Sequence, residues 1–105
     1  MAAAKKVVCV GDRPHEMVEQ IKLMVRRKDI ELTEATGGHE ALEAIRRVKP
    51  DLVFLDLTAL NTDGWKVYQR MKSDSELEHI PAIGTSVKDL REMAHLARHD
   101  IKTLL

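Results

Sequence analysis

Three oxygen-bearing side chains stand at the ends of short apolar runs of the sequence. Asp12 follows the run VVCV after one glycine, Asp56 ends the run LVFLD, and Ser86 ends the run IPAIGTS. An ionised carboxylate is costly to remove from water unless a cation or a hydrogen-bond donor compensates its charge. Asp56 can obtain such hydrogen-bond donors by capping the turn that follows it, because aspartate favours such positions. A second possibility is that both acids bind a common cation.

The chemistry open to two carboxylates and a hydroxyl depends on such a cation. Carboxylate oxygens suit Mg²⁺, which keeps several waters and is often completed by a phosphate. A carboxylate can also attack a phosphoryl group and form an aspartyl phosphate. The Ser86 hydroxyl would then hydrogen-bond a phosphoryl oxygen. Together the three residues predict a divalent-cation site beside an acid that accepts phosphate, provided that the fold brings them together.

The elements that must position these residues alternate between strand and helix. This alternation predicts a doubly wound α/β domain, in which helices cover both faces of a parallel five-stranded sheet. Sites in such sheets lie outside the carboxyl ends of the strands, so Asp12, Asp56 and Ser86 are expected at one edge. The predicted strands are VVCV, IELTEA, LVFL, IPAIGTS and IKTLL, and helical apolar stripes follow Pro14, Gly37, Asp63 and Ser86.

Composition and charge exclude several function classes. The 105 residues suffice for one globular core. Lys and Arg together number 17, as do Asp and Glu, so the net charge of zero offers no basic surface for nucleic acid or an anionic membrane. No apolar stretch is long enough for a signal peptide or a membrane span, and a cytoplasmic location fits best. The single cysteine, Cys9, is expected to be a buried structural thiol, and Trp65 and Tyr68 are expected to pack in the core.

The stretch DLVFLDLTALNTDGWKV resembles the phosphoacceptor segment of response regulator receiver domains, which have a flavodoxin-like fold. Its Asp63-Gly64 turn is similar to the family's, and so are the separations of 44 residues from Asp12 to Asp56 and 30 from Asp56 to Ser86. The resemblance covers nearly the whole chain in the right element order. It implies one receiver domain of two-component signal transduction, a signalling switch that catalyses only its own phosphorylation and is not a metabolic enzyme.

The resemblance also implies a role for each residue of the predicted site in a domain spanning residues 1–105. Asp56 would accept the phosphoryl group from a histidine kinase or a phosphotransfer protein, with Mg²⁺ as cofactor. Asp12, Asp56 and the backbone carbonyl of Thr58 would bind the metal. The Ser86 hydroxyl would move toward the phosphoryl group when the domain switches. The switched form would bind an output domain or target protein, with no direct contact to nucleic acid or membrane.

The sequence departs from the family pattern in four ways. Gly11 stands where the family usually has another acid, Val87 stands where it prefers a very small residue, and Ala59 and Leu60 replace the usual Met-Pro. The lysine and the final helix expected after the fifth strand have no counterpart, because Lys102 comes too early; either the chain was cut before these elements or it is a degenerate receiver.

These departures leave an alternative function open. The alternative is a pseudo-receiver, a protein-interaction module that no longer needs phosphate. Gly11, Val87 and the absent lysine favour it, whereas the retained Asp12, Asp56 and Ser86 oppose it.

The missing helix has a further expected consequence. In a complete receiver domain that helix would cover one face of the sheet beside the first helix. Without it, apolar surface would be left open, and a contiguous exposed patch favours association. We therefore expect the chain either to be marginally stable alone or to form a homodimer through this face.

Overall fold

The computed structural model describes residues 4–24 and 29–86. Within these ranges the chain forms a four-stranded sheet and three helices. The predicted fifth strand and fourth helix, with Val87 and Lys102, lie outside the described residues, and the expected homodimer stays a prediction. The elements are β1 (Lys5–Val10), α1 (Pro14–Met24), β2 (Ile30–Ala35), α2 (Gly38–Val48), β3 (Leu52–Asp56), α3 (Gly64–Ser73) and β4 (Ala82–Thr85).

The sheet has the strand order β2-β1-β3-β4, and all three neighbouring pairs are parallel. Strand β2 pairs with one side of β1, and β3 pairs with the other side. The chain therefore changes its direction of progress across the sheet after β2, and the switch point lies between β1 and β3. This topology confirms the doubly wound α/β fold for the part of the sheet that the structure describes.

Helices cover both faces of this sheet. Val53 and Leu55 of β3 contact the core under α2 and α3, whereas Leu52 and Phe54 contact the core under α1. Because successive side chains of a strand point to opposite faces, a strand buried on both sides must be apolar throughout. The helix residues in these cores include Met17, Val18 and Ile21 of α1, Leu42 and Ile45 of α2, and Val67 and Met71 of α3.

The Cys9 thiol lies on β1 and has no solvent exposure. Burial, with a smaller contribution from the charge of Glu34, raises its pKa to about 12. A thiol that stays protonated at neutral pH is a poor nucleophile. The structure thus confirms a structural role for Cys9. Separately, no helix within the described ranges has the length and apolar character needed to cross a membrane.

The expectation that the aromatic residues of α3 pack in the core is wrong. Trp65 is 59% exposed and Tyr68 is 36% exposed, and their rings meet edge to face with centroids 6.2 Å apart. The buried stripe of α3 consists of Gly64, Val67 and Met71. Positions 65 and 68 lie one residue further round the helix, about 100° from this stripe, so their side chains point toward solvent.

Candidate functional site

The ends of β1, β3 and β4 bring the predicted site residues to the same edge of the sheet. Asp12, Asp56, Thr58 and Ser86 line one cavity of about 310 Å³. The parallel pairing of β1 with β3 and of β3 with β4 produces this arrangement, because their carboxyl ends then point the same way. The other residues around the cavity are Arg13, Glu16, Ala59 and Leu60.

Asp56 is the last residue of β3, and it is almost completely buried. Its Oδ1 accepts hydrogen bonds from the Thr58 backbone amide at 2.9 Å and from the Thr58 hydroxyl at 2.7 Å. Asp56 therefore does fix the turn that follows it. The cap and a role at the cavity coexist, because these bonds engage one oxygen of a carboxylate that also lines the cavity.

Asp12 lies two residues after β1 and is half-buried. Its Oδ2 accepts hydrogen bonds from the backbone amides of Leu60 at 2.8 Å and Asn61 at 3.0 Å. Hydrogen bonds from this loop, led by the Asn61 amide, hold the pKa of Asp12 below its usual value, although desolvation opposes the shift. Asp12 is therefore held as a carboxylate by donors from the β3–α3 loop.

The second oxygen of Asp12 is in a different situation. Oδ1 is buried and accepts no hydrogen bond from the part of the chain that the structure describes. A buried acceptor without a donor is unfavourable, and such groups in native proteins call for an explanation. A cation in the shared cavity would satisfy Oδ1. The donor set thus fits a hard divalent ion such as Mg²⁺, which prefers oxygen ligands.

The carboxylates near the cavity are too few to hold such an ion alone. Within residues 4–24 and 29–86, no three His, Cys, Asp or Glu side chains form a cluster that could bind a metal. An ion between Asp12 and Asp56 would therefore need backbone carbonyl, water or phosphate oxygens to complete its coordination. Mg²⁺ characteristically keeps several waters and binds few carboxylates.

Gly11 lies so close to Asp56 that the additional acid expected there from the resemblance would crowd it. A Cβ atom built on Gly11 would lie 3.0 Å from the Asp56 Cβ and 3.4 Å from its Oδ2. A side chain at position 11 therefore requires Asp56 to shift by a few tenths of an ångström. The departure at position 11 is thus a packing feature as well as the loss of a charge.

Gly64 fixes the other end of the loop that follows Asp56. A Cβ atom at this first residue of α3 would lie 2.8 Å from the Asp56 carbonyl oxygen. Only glycine allows the helix to approach the strand this closely. The first turn of α3 is stabilised by its N-cap, Asp63, whose Oδ1 accepts the Lys66 backbone amide at 3.0 Å.

Ser86 immediately follows β4 and is buried. The register of β4 places Thr85 opposite Asp56, and the Leu57 amide donates to the Thr85 carbonyl at 2.8 Å. The backbone that carries Ser86 is therefore fixed against the backbone that follows Asp56. This arrangement places a hydroxyl at the cavity next to the predicted phosphoacceptor.

Sequence reasoning missed two features of this region. Arg13 and Glu16 line the cavity as an exposed ion pair at 3.7 Å, a pair that contributes little stability. Thr62 is fully buried, and its Oγ1 accepts the Gly37 backbone amide at 2.9 Å. The position of Arg13 directly after Asp12 was an available signal. Nothing in the sequence around Thr62 indicates a bond to a residue 25 positions earlier.

Comparison with known proteins gives the same assignment at the level of sequence. Residues 7–102 match the family described as response regulator receiver domain. PilH from Pseudomonas aeruginosa is 26% identical over 84 residues, which cover 80% of this chain and 69% of PilH. The polar-differentiation response regulator DivK from Brucella anthropi is 30% identical over 82 residues, which cover 78% of this chain and 66% of DivK. The match thus spans about two thirds of the length of these relatives.

Solved structures share the fold. The signal receiver domain of the DNA binding response regulator protein merR from Colwellia psychrerythraea superimposes with a TM-score of 0.70 at 19% identity, over 95% of this chain and 97% of that chain. The phosphorylated cyanobacterial phytochrome response regulator RcpA gives 0.66 at 26% identity, over 92% and 76%. Members of this family act as signalling switches and not as metabolic enzymes. With the family match over residues 7–102, these findings show that the chain belongs to the receiver domains of two-component response regulators.

Proposed function

We propose that residues 1–105 form a phosphorylatable receiver domain in which Asp56 accepts a phosphoryl group from a histidine kinase or a phosphotransfer protein. The observation that carries this proposal is the buried Oδ1 of Asp12, which accepts no hydrogen bond from the described residues and belongs to a residue lining the same cavity as Asp56. An unpaired oxygen that a cation can satisfy, beside an acid that can accept phosphate, suits metal-assisted phosphoryl transfer.

Mg²⁺ is the cofactor that fits this site best. Asp12, Asp56 and the backbone carbonyl of Thr58 would hold the ion, with water and phosphate oxygens completing its coordination. When bound, it supplies positive charge that offsets the negative charge of the carboxylates and of the phosphoryl oxygens. Because Gly11 provides no acid, we expect metal binding to be weaker than in a site with an additional acid, on the scale of about 10–100-fold.

The contribution of the chain's own side chains to the reaction is chiefly a positioned nucleophile. A carboxylate oxygen of Asp56 forms a bond to the phosphorus of the donor's phosphohistidine, while the phosphorus–nitrogen bond breaks and its electron pair stays on the imidazole. Thr58 holds the carboxylate through its two hydrogen bonds to Oδ1. The Ser86 hydroxyl would donate to a phosphoryl oxygen. The added charge would then favour the form that binds an output domain or target protein.

The test is phosphorylation by a small donor. The purified chain is incubated with Mg²⁺ and phosphoramidate, and intact mass spectrometry follows the addition of one phosphoryl group. We expect a base-labile adduct in the wild type and none in Asp56→Asn. Asp51→Asn is the matched control, because Asp51 precedes β3 at its opposite end, where it accepts the Lys6 amide. This variant should be phosphorylated like the wild type.

Two results would contradict the proposal. An adduct that persists in Asp56→Asn would mean that another residue is modified. The pseudo-receiver alternative would be favoured by two observations together. The wild-type chain remains unmodified at saturating Mg²⁺ and donor, and wild type and Asp56→Ala bind a partner equally well.

A further inference from the structure

Thr62 is the most deeply buried polar side chain in the described residues, with no exposed surface. A hydroxyl removed from water is unfavourable unless its hydrogen bonds are replaced. Here the Oγ1 atom of Thr62 accepts the Gly37 backbone amide at 2.9 Å. Thr62 also directly follows Asn61, whose backbone amide donates to Asp12 Oδ2 at 3.0 Å. Thr62 thus has a hydrogen-bonded side chain and lies next to the residues that bind Asp12.

This contact connects three segments that are distant in sequence. Thr62 belongs to the β3–α3 loop, Asp12 follows β1, and Gly37 precedes α2 with a positive φ of 86°. Gly37 offers α2 no side-chain cap, and its carbonyl accepts the Ala41 amide at 2.9 Å. The loop that binds the Asp12 carboxylate is therefore connected, through the Thr62 hydroxyl, to the start of α2.

We propose that Thr62 is a positioning residue for Asp12. By anchoring the loop whose Leu60 and Asn61 amides bind Oδ2, it leaves Oδ1 as the oxygen that accepts a divalent cation. This inference rests on the proposed function, because the metal site gives the orientation its purpose. Thr62 would act on the metal site through Asp12, without touching the metal or the phosphoryl group.

Packing alone would not require this residue. Valine has nearly the shape of threonine, so Thr62→Val fills the same volume while it removes the hydroxyl that accepts the Gly37 amide. The charge of Asp12 is not at issue either. An aspartate with an ordinary pKa of about 3.9 is fully ionised at neutral pH, so a displaced loop changes where the carboxylate points and not whether it is charged.

The first experiment uses the metal-free chain. Amide hydrogen exchange by NMR is measured for Gly37, Leu60 and Asn61 in the wild type, Thr62→Val and Thr62→Ser. We expect exchange in Thr62→Val to be about tenfold faster at all three amides and close to wild type in Thr62→Ser. Faster exchange at Gly37 alone, with Leu60 and Asn61 unchanged, would show that Thr62 does not hold the Asp12 loop and would overturn the proposal.

The second experiment measures Mn²⁺ binding by electron paramagnetic resonance, with Mn²⁺ as a probe for the Mg²⁺ site. We expect about tenfold weaker binding in Thr62→Val, with affinity near wild type in Thr62→Ser. The matched control is Thr33→Val, the same substitution on the half-buried edge strand β2. Thr62→Val with unchanged affinity would overturn the proposal.

Two further outcomes are decisive. If Thr62→Val does not fold, Thr62→Cys replaces the hydroxyl by a thiol, whose sulfur is a weaker acceptor for the Gly37 amide. It should then bind Mn²⁺ less tightly than the wild type, and equal affinity would contradict the positioning role. If the wild type itself binds no Mn²⁺, the metal site of the proposed function fails, whereas the exchange measurement still decides whether Thr62 orients Asp12.

Discussion

The carboxylate of Asp12 accepts the backbone amide of Asn61 at 3.0 Å and so fastens the loop after the predicted phosphoacceptor to the end of the first strand. The same bond is the main reason for the lowered pKa of Asp12. Asp12 therefore stabilises this loop even when no ligand is bound. Its removal should therefore be visible in stability measurements as well as in metal binding.

The first prediction concerns acid. A carboxyl group whose pKa is lower in the folded state than in the unfolded state stabilises the protein above the unfolded pKa, and this stabilisation is lost as the pH falls through the folded value. For Asp12 the loss should begin near its ordinary value of 3.8 and continue below it. Urea unfolding between pH 5 and pH 2.5 should therefore show a smaller fall in Asp12→Asn than in the wild type. Parallel curves for the two proteins would contradict the prediction.

The second prediction tests the crowding at Gly11. A methyl group there would meet the Asp56 Cβ at 3.0 Å, and we expect Gly11→Ala to lower the free energy of unfolding by about 1–2 kcal/mol. Gly38→Ala is the control, because its nearest contact would be Val67 Cγ2 at an ordinary 3.9 Å. That variant should unfold at the same or a higher urea concentration, since alanine favours helix. Equal destabilisation of both variants would contradict the role of crowding.

The third prediction concerns the contact of Gly64 with Asp56. A Cβ at residue 64 would lie 2.8 Å from a backbone oxygen, which cannot turn aside as a side chain can. We expect Gly64→Ala to lower the free energy of unfolding by about 2–3 kcal/mol, more than Gly11→Ala does. Thermal or urea unfolding monitored by circular dichroism would measure both. A Gly64→Ala variant as stable as the wild type would mean that α3 can move away from β3 at little cost.

The fourth prediction tests the start of α3. Asp63→Ala removes the side chain that accepts the Lys66 amide, and loss of such an N-cap costs about 1 kcal/mol. Asp63→Asn keeps an acceptor oxygen at the same place, so its unfolding free energy should stay near that of the wild type. If both variants lose the same amount, the charge of Asp63 and not its hydrogen bond stabilises the helix.

Much of the fold followed from local pattern. The uniformly apolar run before Asp56 predicts a strand buried on both faces, and the alternation of strands with helices predicts a parallel sheet whose strand ends meet at one edge. These inferences need only neighbours in sequence and the geometry of regular elements. They were sufficient to bring Asp12, Asp56 and Ser86 to one cavity.

The remaining features depend on distances between elements, which no local pattern contains. The closeness of Gly11 to Asp56 reflects how far apart β1 and β3 end. The bond from Gly37 to Thr62 spans 25 residues of sequence. The sequence predicts Trp65 and Tyr68 in the core. The rotation of α3 about its axis instead buries Val67 and Met71.

The buried thiol of β1 offers a practical consequence. Cys9 is the single cysteine of the chain, and it lies on a central strand with no solvent exposure. Its side chain lies in the core under α1, so an alkylating reagent can reach it only when this face of the sheet opens, and the rate of thiol labelling reports that opening. The chain therefore carries a natural probe of the packing between α1 and the sheet, which can be read without an added label or a denaturant.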